Sequence, residues 1–129
     1  MPAASAIKVL VVDDQMSMRA LIRATLQQIG FVDIEEAPDG EAALSHLLQK
    51  KVNLVISDFN MPKVNGLELL RAVRSHEPIR KTGFIMLTGR ADKDLVARAV
   101  QFGVNNYLVK PFNAETLKSK IEAVFGPLQ

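Results

Sequence analysis

The sequence contains no cysteine, no tryptophan and only one tyrosine among its 129 residues. Without cysteine the chain cannot form disulfides or use thiol chemistry, which fits a cytosolic protein. It also has no apolar run long enough to span a bilayer, and residues 1–6 lack the basic start of a signal peptide. We therefore expect a cytoplasmic protein with no membrane partner.

The sequence also has little excess of either charge, because its 16 Lys and Arg residues nearly balance its 14 Asp and Glu residues. The formal net charge of +2 comes from interspersed acidic and basic residues, so the electrostatic field is weak despite a pI near 9.0. This balance argues against nucleic acid as a partner. A chain of this length can bury roughly two thirds of its unfolded surface. We predict a single domain over residues 1–129, with a short N-terminal tail at 1–6.

Short apolar stretches rich in β-branched residues predict five strands, at 7–12, 34–37, 52–57, 84–87 and 107–109. Helical patterns fill the segments between them. Asp39, Asn65 and Asn113 are predicted N-caps, Gly30 is the predicted stop of a first helix over 16–29, and a fourth helix begins near 92. The predicted core-facing stripes of the first, second and fourth helices include Leu21, Leu48 and Val100.

Polar side chains follow several of these predicted strands. They are Asp13, Asp14, Asp58, Thr88 and Lys110. Strands that alternate with helices imply a parallel sheet wound by right-handed crossovers. In such sheets, sites form outside the carboxyl ends of the strands. The five side chains are therefore expected to converge on one edge of the sheet.

The chemistry of this edge follows from its residue types. Three carboxylates close together repel, and oxygen ligands without His or Cys suit Mg²⁺ rather than zinc. Mg²⁺, the Lys110 ammonium and the Thr88 hydroxyl could each stabilise one oxygen of a phosphoryl group in transfer. Asp58 stands alone after a central strand and is the best candidate nucleophile, which would form an acyl phosphate. Asp13 and Asp14 are adjacent and better placed to share the metal.

These residues resemble the receiver domain of bacterial response regulators, and in particular its single-domain chemotaxis members. The likeness runs from residue 8 to 125 and is carried by Val11-Val12-Asp13-Asp14, Ile56-Ser57-Asp58-Phe59-Asn60-Met61-Pro62, Leu87-Thr88-Gly89 and Val109-Lys110-Pro111-Phe112. The resemblance implies a flavodoxin-like α/β fold. In that fold a doubly wound, five-stranded parallel sheet in the order 2-1-3-4-5 is flanked by five helices.

The resemblance also implies roles for individual residues. Asp58 would accept the phosphoryl group from a histidine kinase, and Asp13, Asp14 and Asp58 would hold Mg²⁺ with the Asn60 main-chain carbonyl. Lys110 would contact the phosphoryl group. Thr88 and Tyr107 would transmit the change to the surface of the fourth helix, fifth strand and fifth helix. Such a protein catalyses its own phosphorylation and dephosphorylation without turning over an external substrate.

Basic residues mark the expected output surface, with Arg90, Lys93, Arg98, Lys118 and Lys120 as candidates for exposure beside Tyr107. Their charge suggests an acidic segment of a downstream protein, and the flagellar motor switch is one possible target. We expect a monomer. Two roles are open to Arg90. Its guanidinium could pair with the phosphoryl oxygens and so lengthen the life of the phosphorylated state, or it could point into solvent and serve partner recognition.

Two other functions are compatible with parts of this pattern. A phosphate sink or phosphorelay shuttle would use the same site without a binding output. A phosphatase that works through an aspartyl phosphate would need a second acid two residues after its nucleophile, and Asn60 occupies that position. A flavin or nucleotide domain is disfavoured because the chain has neither G-x-G-x-x-G nor a Walker loop.

Overall fold

The computed structural model describes residues 3–61, 64–89 and 93–128. The strands in this part of the chain are β1 (Val9–Val12), β2 (Ile34–Ala37), β3 (Leu54–Asp58), β4 (Gly83–Thr88) and β5 (Asn106–Val109). The α-helices that alternate with them are α1 (Met16–Ile29), α2 (Gly40–Gln49), α3 (Gly66–Ser75), α4 (Lys93–Gln101) and α5 (Ala114–Phe125). Two short 3-10 turns span Ala4–Ala6 and Glu77–Ile79.

All strand pairs are parallel, and the sheet order is β2-β1-β3-β4-β5. This arrangement confirms the predicted fold class. Every residue of β1, β3 and β4 is buried, as expected for central strands covered on both faces. Helices α1 and α5 pack on one face of the sheet, and α2, α3 and α4 pack on the other. Among the described residues, no helix combines the length and the apolar character needed to cross a membrane.

The predicted helix caps are present. Gly30 ends α1 with a φ of 125°, a left-handed conformation that favours glycine. The Asp39 and Asn113 side chains accept hydrogen bonds from the first turns of α2 and α5. Asn65 and Glu68 form a reciprocal capping box at the start of α3. These local hydrogen bonds fix where each helix begins, and therefore where the preceding loop leaves the sheet.

Three of the predicted core positions are wrong. Leu21, Leu48 and Val100 are 53%, 53% and 61% exposed, respectively. In each helix the apolar arc is wider than the strip that contacts the sheet, so a residue about 100° around the helix from a buried neighbour faces solvent. The predicted start of the fourth helix at Asp92 lies outside the described residues. Within the segment predicted to be an N-terminal tail, Ala4 is 4% exposed and packs in the core.

Arg74, at the end of α3, makes structural hydrogen bonds that the hydrophobic periodicity of the sequence did not predict. Its guanidinium donates hydrogen bonds to the carbonyl oxygens of Gly103, Arg80 and Thr82 at 2.9, 2.7 and 2.7 Å, and to Asn105 Oδ1 at 2.9 Å. The planar fork of arginine suits such divergent acceptors. It joins the end of α3 to the turn before β4 and the loop before β5.

We predict that Arg74→Ala lowers the free energy of unfolding by about 2 kcal/mol, because several carbonyl groups lose their donor together. Urea denaturation followed by circular dichroism measures the change. Arg98→Ala on the exposed face of α4 removes the same charge and is the matched control. Equal denaturation midpoints for the two variants would show that the Arg74 hydrogen bonds contribute nothing net to stability.

Candidate functional site

The carboxyl edge of the sheet carries the polar side chains predicted from the sequence. Asp13 directly follows β1, Asp58 and Thr88 are the last residues of β3 and β4, and Lys110 directly follows β5. These four strands are consecutive neighbours in the sheet, so their ends lie side by side. Carboxylate oxygens of Asp13, Asp14 and Asp58 lie within 4.8 Å of one another. The structure therefore brings the predicted acidic residues together.

Lys110 connects two of these acids. Its Nζ donates a hydrogen bond to Asp58 Oδ1 at 2.9 Å and lies 3.7 Å from Asp13 Oδ2. The Lys110 main-chain N–H donates to the Thr88 carbonyl oxygen at 2.8 Å, and the Lys110–Pro111 peptide bond is cis. The main-chain hydrogen bond fixes the start of the loop after β5, from which the Lys110 side chain reaches the Asp58 carboxylate.

Asp13 is the most deeply buried of the three acids, with 1% of its surface exposed. Burial raises the pKa of its carboxyl above the ordinary value, and the nearby charges of Asp58 and Asp14 raise the pKa further. The Gln15 backbone N–H, which donates to Asp13 Oδ1 at 2.9 Å, and the charge of Lys110 oppose this rise. Because burial is the largest of these causes, the net upward shift reflects mainly the cost of holding a charged carboxylate away from water.

The donor set fits a hard divalent cation. Asp13 Oδ2 is a buried carboxylate oxygen that has no hydrogen-bond partner in the described part of the chain. It lies in a cluster of three carboxylates from Asp13, Asp14 and Asp58, and Asp14 is exposed enough to leave an entry path. Oxygen donors with access to water are what Mg²⁺ prefers. Two or three carboxylate ligands would offset the charge of the ion and remove the repulsion among the acids.

The remaining predicted residues occupy different environments. Thr88 is 5% exposed, Asn60 is exposed in the loop after β3, and Lys93 is exposed on α4. Tyr107 is half-buried in β5, and the Lys120 Nζ lies 5.2 Å from the centre of its ring. Lys120 is thus less exposed than predicted, because it covers this aromatic ring. Arg90 lies outside the described residues.

Two residues near the site were not predicted. The Arg19 Nη1 donates a hydrogen bond to the main-chain oxygen of Asp13 at 2.6 Å. The available sequence signal for Arg19 was its position between Met18, which is half-buried, and Ile22, which is buried. A cation on the inner side of a helix needs a hydrogen-bond acceptor. Gly66 is the second. A Cβ at this position would lie 2.6 Å from the Asp58 main-chain oxygen, so α3 begins in direct contact with the strand that ends at Asp58.

Comparisons with known proteins agree with this geometry. A family described as the response regulator receiver domain matches residues 9–122. A "Probable chemotaxis protein CheY" from Rhizobium etli is 49% identical over 129 residues and 100% of both chains. The chemotaxis protein CheY of Pseudomonas aeruginosa is 43% identical, covering 92% of this chain and 95% of that protein.

Solved structures give the same result. The chemotaxis protein CheY4 of Vibrio cholerae superimposes with a TM-score of 0.85 at 37% identity, covering 92% of this chain and 98% of that chain. A response regulator receiver domain protein from Clostridium thermocellum has a TM-score of 0.82 at 29% identity, covering 92% and 93% of the two chains. With a family match over most of its length and relatives that span it, this chain belongs to the response regulator receiver domain family.

Proposed function

We propose that this protein is a phosphorylation-activated switch of a two-component system and that Asp58 accepts the phosphoryl group from a histidine kinase. The observation that carries the proposal is the position of the Lys110 ammonium, 2.9 Å from Asp58 Oδ1 and 3.7 Å from Asp13 Oδ2 in a three-carboxylate cluster. Family membership supports the reaction class. The geometry supports the proposal of Asp58 as nucleophile, Lys110 as the cation and Asp13 with Asp14 as the metal-binding pair.

In the proposed reaction, the Asp58 carboxylate oxygen forms a bond to phosphorus as the bond from phosphorus to the donor's imidazole nitrogen breaks. The electron pair of the broken bond stays with the imidazole. Lys110, already paired with Asp58, stabilises the negative charge on the phosphoryl oxygens. Asp13, Asp14, Asp58 and the Asn60 carbonyl would hold Mg²⁺, which when bound neutralises phosphoryl charge.

We assign the output to the surface of α4, β5 and α5. Thr88 ends β4 beside the reacting group, and Tyr107 lies in the neighbouring strand β5. The Thr88 hydroxyl can respond to a new phosphoryl oxygen, and a shift there reaches Tyr107 across the β4–β5 pair. Lys120 over the Tyr107 ring and Lys93 on α4 extend this surface. Its basic side chains suit an acidic segment of a protein target.

The names of the relatives as chemotaxis proteins support a role of the switch in chemotaxis. We infer a monomeric protein in the cytoplasm that acts on a target such as the flagellar motor switch. Arg90 belongs to the same proposal. As a prediction from its sequence position two residues after Thr88, a guanidinium that pairs with the phosphoryl oxygens would exclude the attacking water and lengthen the life of the acyl phosphate.

Incubation with phosphoramidate and Mg²⁺ tests the proposal. We expect one phosphoryl group per chain, mapped to Asp58 by mass spectrometry after borohydride reduction of the acyl phosphate, followed by slow self-hydrolysis. Catalytic release of phosphate from several unrelated esters would instead indicate a phosphatase. A label on a histidine or serine would contradict the assignment of Asp58.

The metal site leads to a second prediction. Asp13→Asn is expected to weaken Mg²⁺ binding on the order of tenfold or more, since loss of even an outer-shell partner of a metal site costs that much. Isothermal titration calorimetry measures the affinity. The unfolding temperature of this variant in Mg²⁺-free buffer should equal or exceed that of the wild type, because a buried charge with a raised pKa is removed from a repulsive cluster.

Asp33→Asn is the matched control for this prediction, because Asp33 precedes β2 at the opposite edge of the sheet. It removes one carboxylate without touching the cluster. Wild-type Mg²⁺ affinity in a double variant, Asp13→Asn with Asp14→Asn, would show that the cation binds elsewhere.

A further inference from the structure

Hydrogen bonds connect both main-chain polar groups of Asp13 to strand β2, one directly and one through Arg19. The Asp13 N–H donates directly to the Ala37 carbonyl oxygen at 3.2 Å. Its carbonyl oxygen accepts a 2.6 Å hydrogen bond from Arg19 Nη1, and the Arg19 Nε donates to Glu36 Oε1 on β2 at 3.1 Å. Asp13 is therefore held from two sides, directly on one side and through a guanidinium on the other.

Arg19 is well placed for this task. Its side chain is 13% exposed, so its charge is largely removed from water and depends on fixed acceptors. Its main-chain N–H also donates to the Gln15 carbonyl oxygen at 3.0 Å in the first turn of α1. Arg19 thus contacts the Asp13–Gln15 segment through its backbone and its side chain, and this segment carries two of the clustered carboxylates.

Glu36 holds Arg19 in turn. The second oxygen of its carboxylate accepts a 2.7 Å hydrogen bond from Arg23 Nε, and Arg23 Nη2 donates to the Ile34 carbonyl oxygen at 2.8 Å. The bond from Arg23, with the bond from Arg19, lowers the pKa of Glu36 below its ordinary value, although burial opposes this shift. Glu36 is therefore ionised at neutral pH, and its carboxylate fixes the orientation of the Arg19 guanidinium.

We propose that Arg19 is a positioning residue of the phosphorylation site, which holds the main chain of Asp13 so that its carboxylate oxygen without a hydrogen bond faces the cation site. Asp13 Oδ1 is committed to the Gln15 N–H at 2.9 Å, so the direction of Oδ2 depends on how the main chain at Asp13 is held. The inference rests on the proposed function, since it concerns the Mg²⁺ affinity of the same site.

The structure offers an internal control. Arg23 shares the Glu36 carboxylate with Arg19 but donates its remaining hydrogen bond to Ile34 rather than to Asp13. Arg23→Ala and Arg19→Ala therefore each remove one cation and one hydrogen bond to Glu36. Only Arg19→Ala releases the Asp13 carbonyl. A general loss of stability or of charge affects both variants, whereas a positioning effect is confined to Arg19.

Titration calorimetry with MgCl₂ on the unphosphorylated protein tests the proposal. We expect Arg19→Ala to raise the Kd for Mg²⁺ about tenfold or more, the usual range for outer-shell partners of metal ligands. Arg23→Ala should keep the wild-type Kd. The Kd of Glu36→Gln should lie between the values of the Arg19→Ala and Arg23→Ala variants. The labelling rate of Arg19→Ala with phosphoramidate should recover toward the wild-type rate when Mg²⁺ is raised above the new Kd.

Equal Mg²⁺ affinities in Arg19→Ala and Arg23→Ala would overturn the proposal. If Arg19→Ala does not fold, Arg19→Lys replaces it, because lysine keeps the charge and the aliphatic stem but cannot bridge Glu36 and Asp13 with a fork. An unchanged Kd in that variant would equally overturn it. Failure of the proposed function is distinguishable, since it would appear as wild-type protein that binds Mg²⁺ without acquiring a phosphoryl group on Asp58.

Discussion

Asp58→Asn is expected to abolish phosphorylation by a kinase and by small donors, a loss on the order of a thousandfold or more as for other removed nucleophiles. An amide oxygen is a poor nucleophile and cannot form a stable acyl phosphate. The fold should remain, because an asparagine Oδ1 still accepts the 2.9 Å hydrogen bond from Lys110. Label incorporation per chain, measured by intact-protein mass spectrometry, gives the result.

Circular dichroism and the urea midpoint establish that the Asp58→Asn variant is folded. Asp33→Asn, at the far edge of the sheet, should be labelled like the wild type. Wild-type stoichiometry in Asp58→Asn would require another nucleophile, and peptide mapping would then be directed at Asp13 and Asp14 first.

Gly66→Ala is expected to destabilise the protein by about 2 kcal/mol or more, the upper range for overpacked sites. The added Cβ would lie 2.6 Å from the Asp58 carbonyl oxygen, 2.6 Å from Met86 Sδ and 2.9 Å from Phe59 Cα. Two of these three contacts are with backbone atoms, which cannot move aside as a flexible side chain can. Either α3 or the end of β3 must shift.

A shift at the end of β3 moves the Asp58 carboxylate relative to Lys110. Displacement of a reacting group by about 1 Å can lower a rate about a hundredfold, so the labelling rate should fall even at temperatures where the variant is folded. Gly89→Ala is the control for stability, because a Cβ there meets nothing within 4 Å. Identical unfolding midpoints for Gly66→Ala and wild type would show that the contact between α3 and β3 is loose.

The sequence alone determined the elements and their order along the chain. Helix ends at Gly30, Asp39, Asn65 and Asn113 are local, because each depends on hydrogen bonds or dihedral angles within a few residues. The buried strands are also local signals, since uninterrupted β-branched and apolar runs are typical of central parallel strands. The convergence of acidic residues followed from one rule about the carboxyl ends of parallel strands.

The strand ends predicted from the sequence were less accurate than the predicted helix ends. Asp58 and Thr88 are the last residues of β3 and β4 rather than the first residues of the loops. Composition marks where a strand is apolar, but the ladder continues as long as a neighbour supplies hydrogen bonds. Asp58 pairs with Leu87 and Thr88 with Val109, so each polar residue remains in register with the adjacent strand.

Only the tertiary structure decided which side chains support the site and which part of an apolar arc is buried. Leu21 and Leu48 have the periodicity of core residues, yet the sheet covers a narrower strip of each helix. Arg19 on α1 contacts Glu36 on β2, and Arg74 on α3 contacts Gly103 in the loop before β5. Periodicity and caps depend on neighbours along the chain and can be predicted from the sequence, whereas these contacts join residues that only the packing of helices on the sheet brings together.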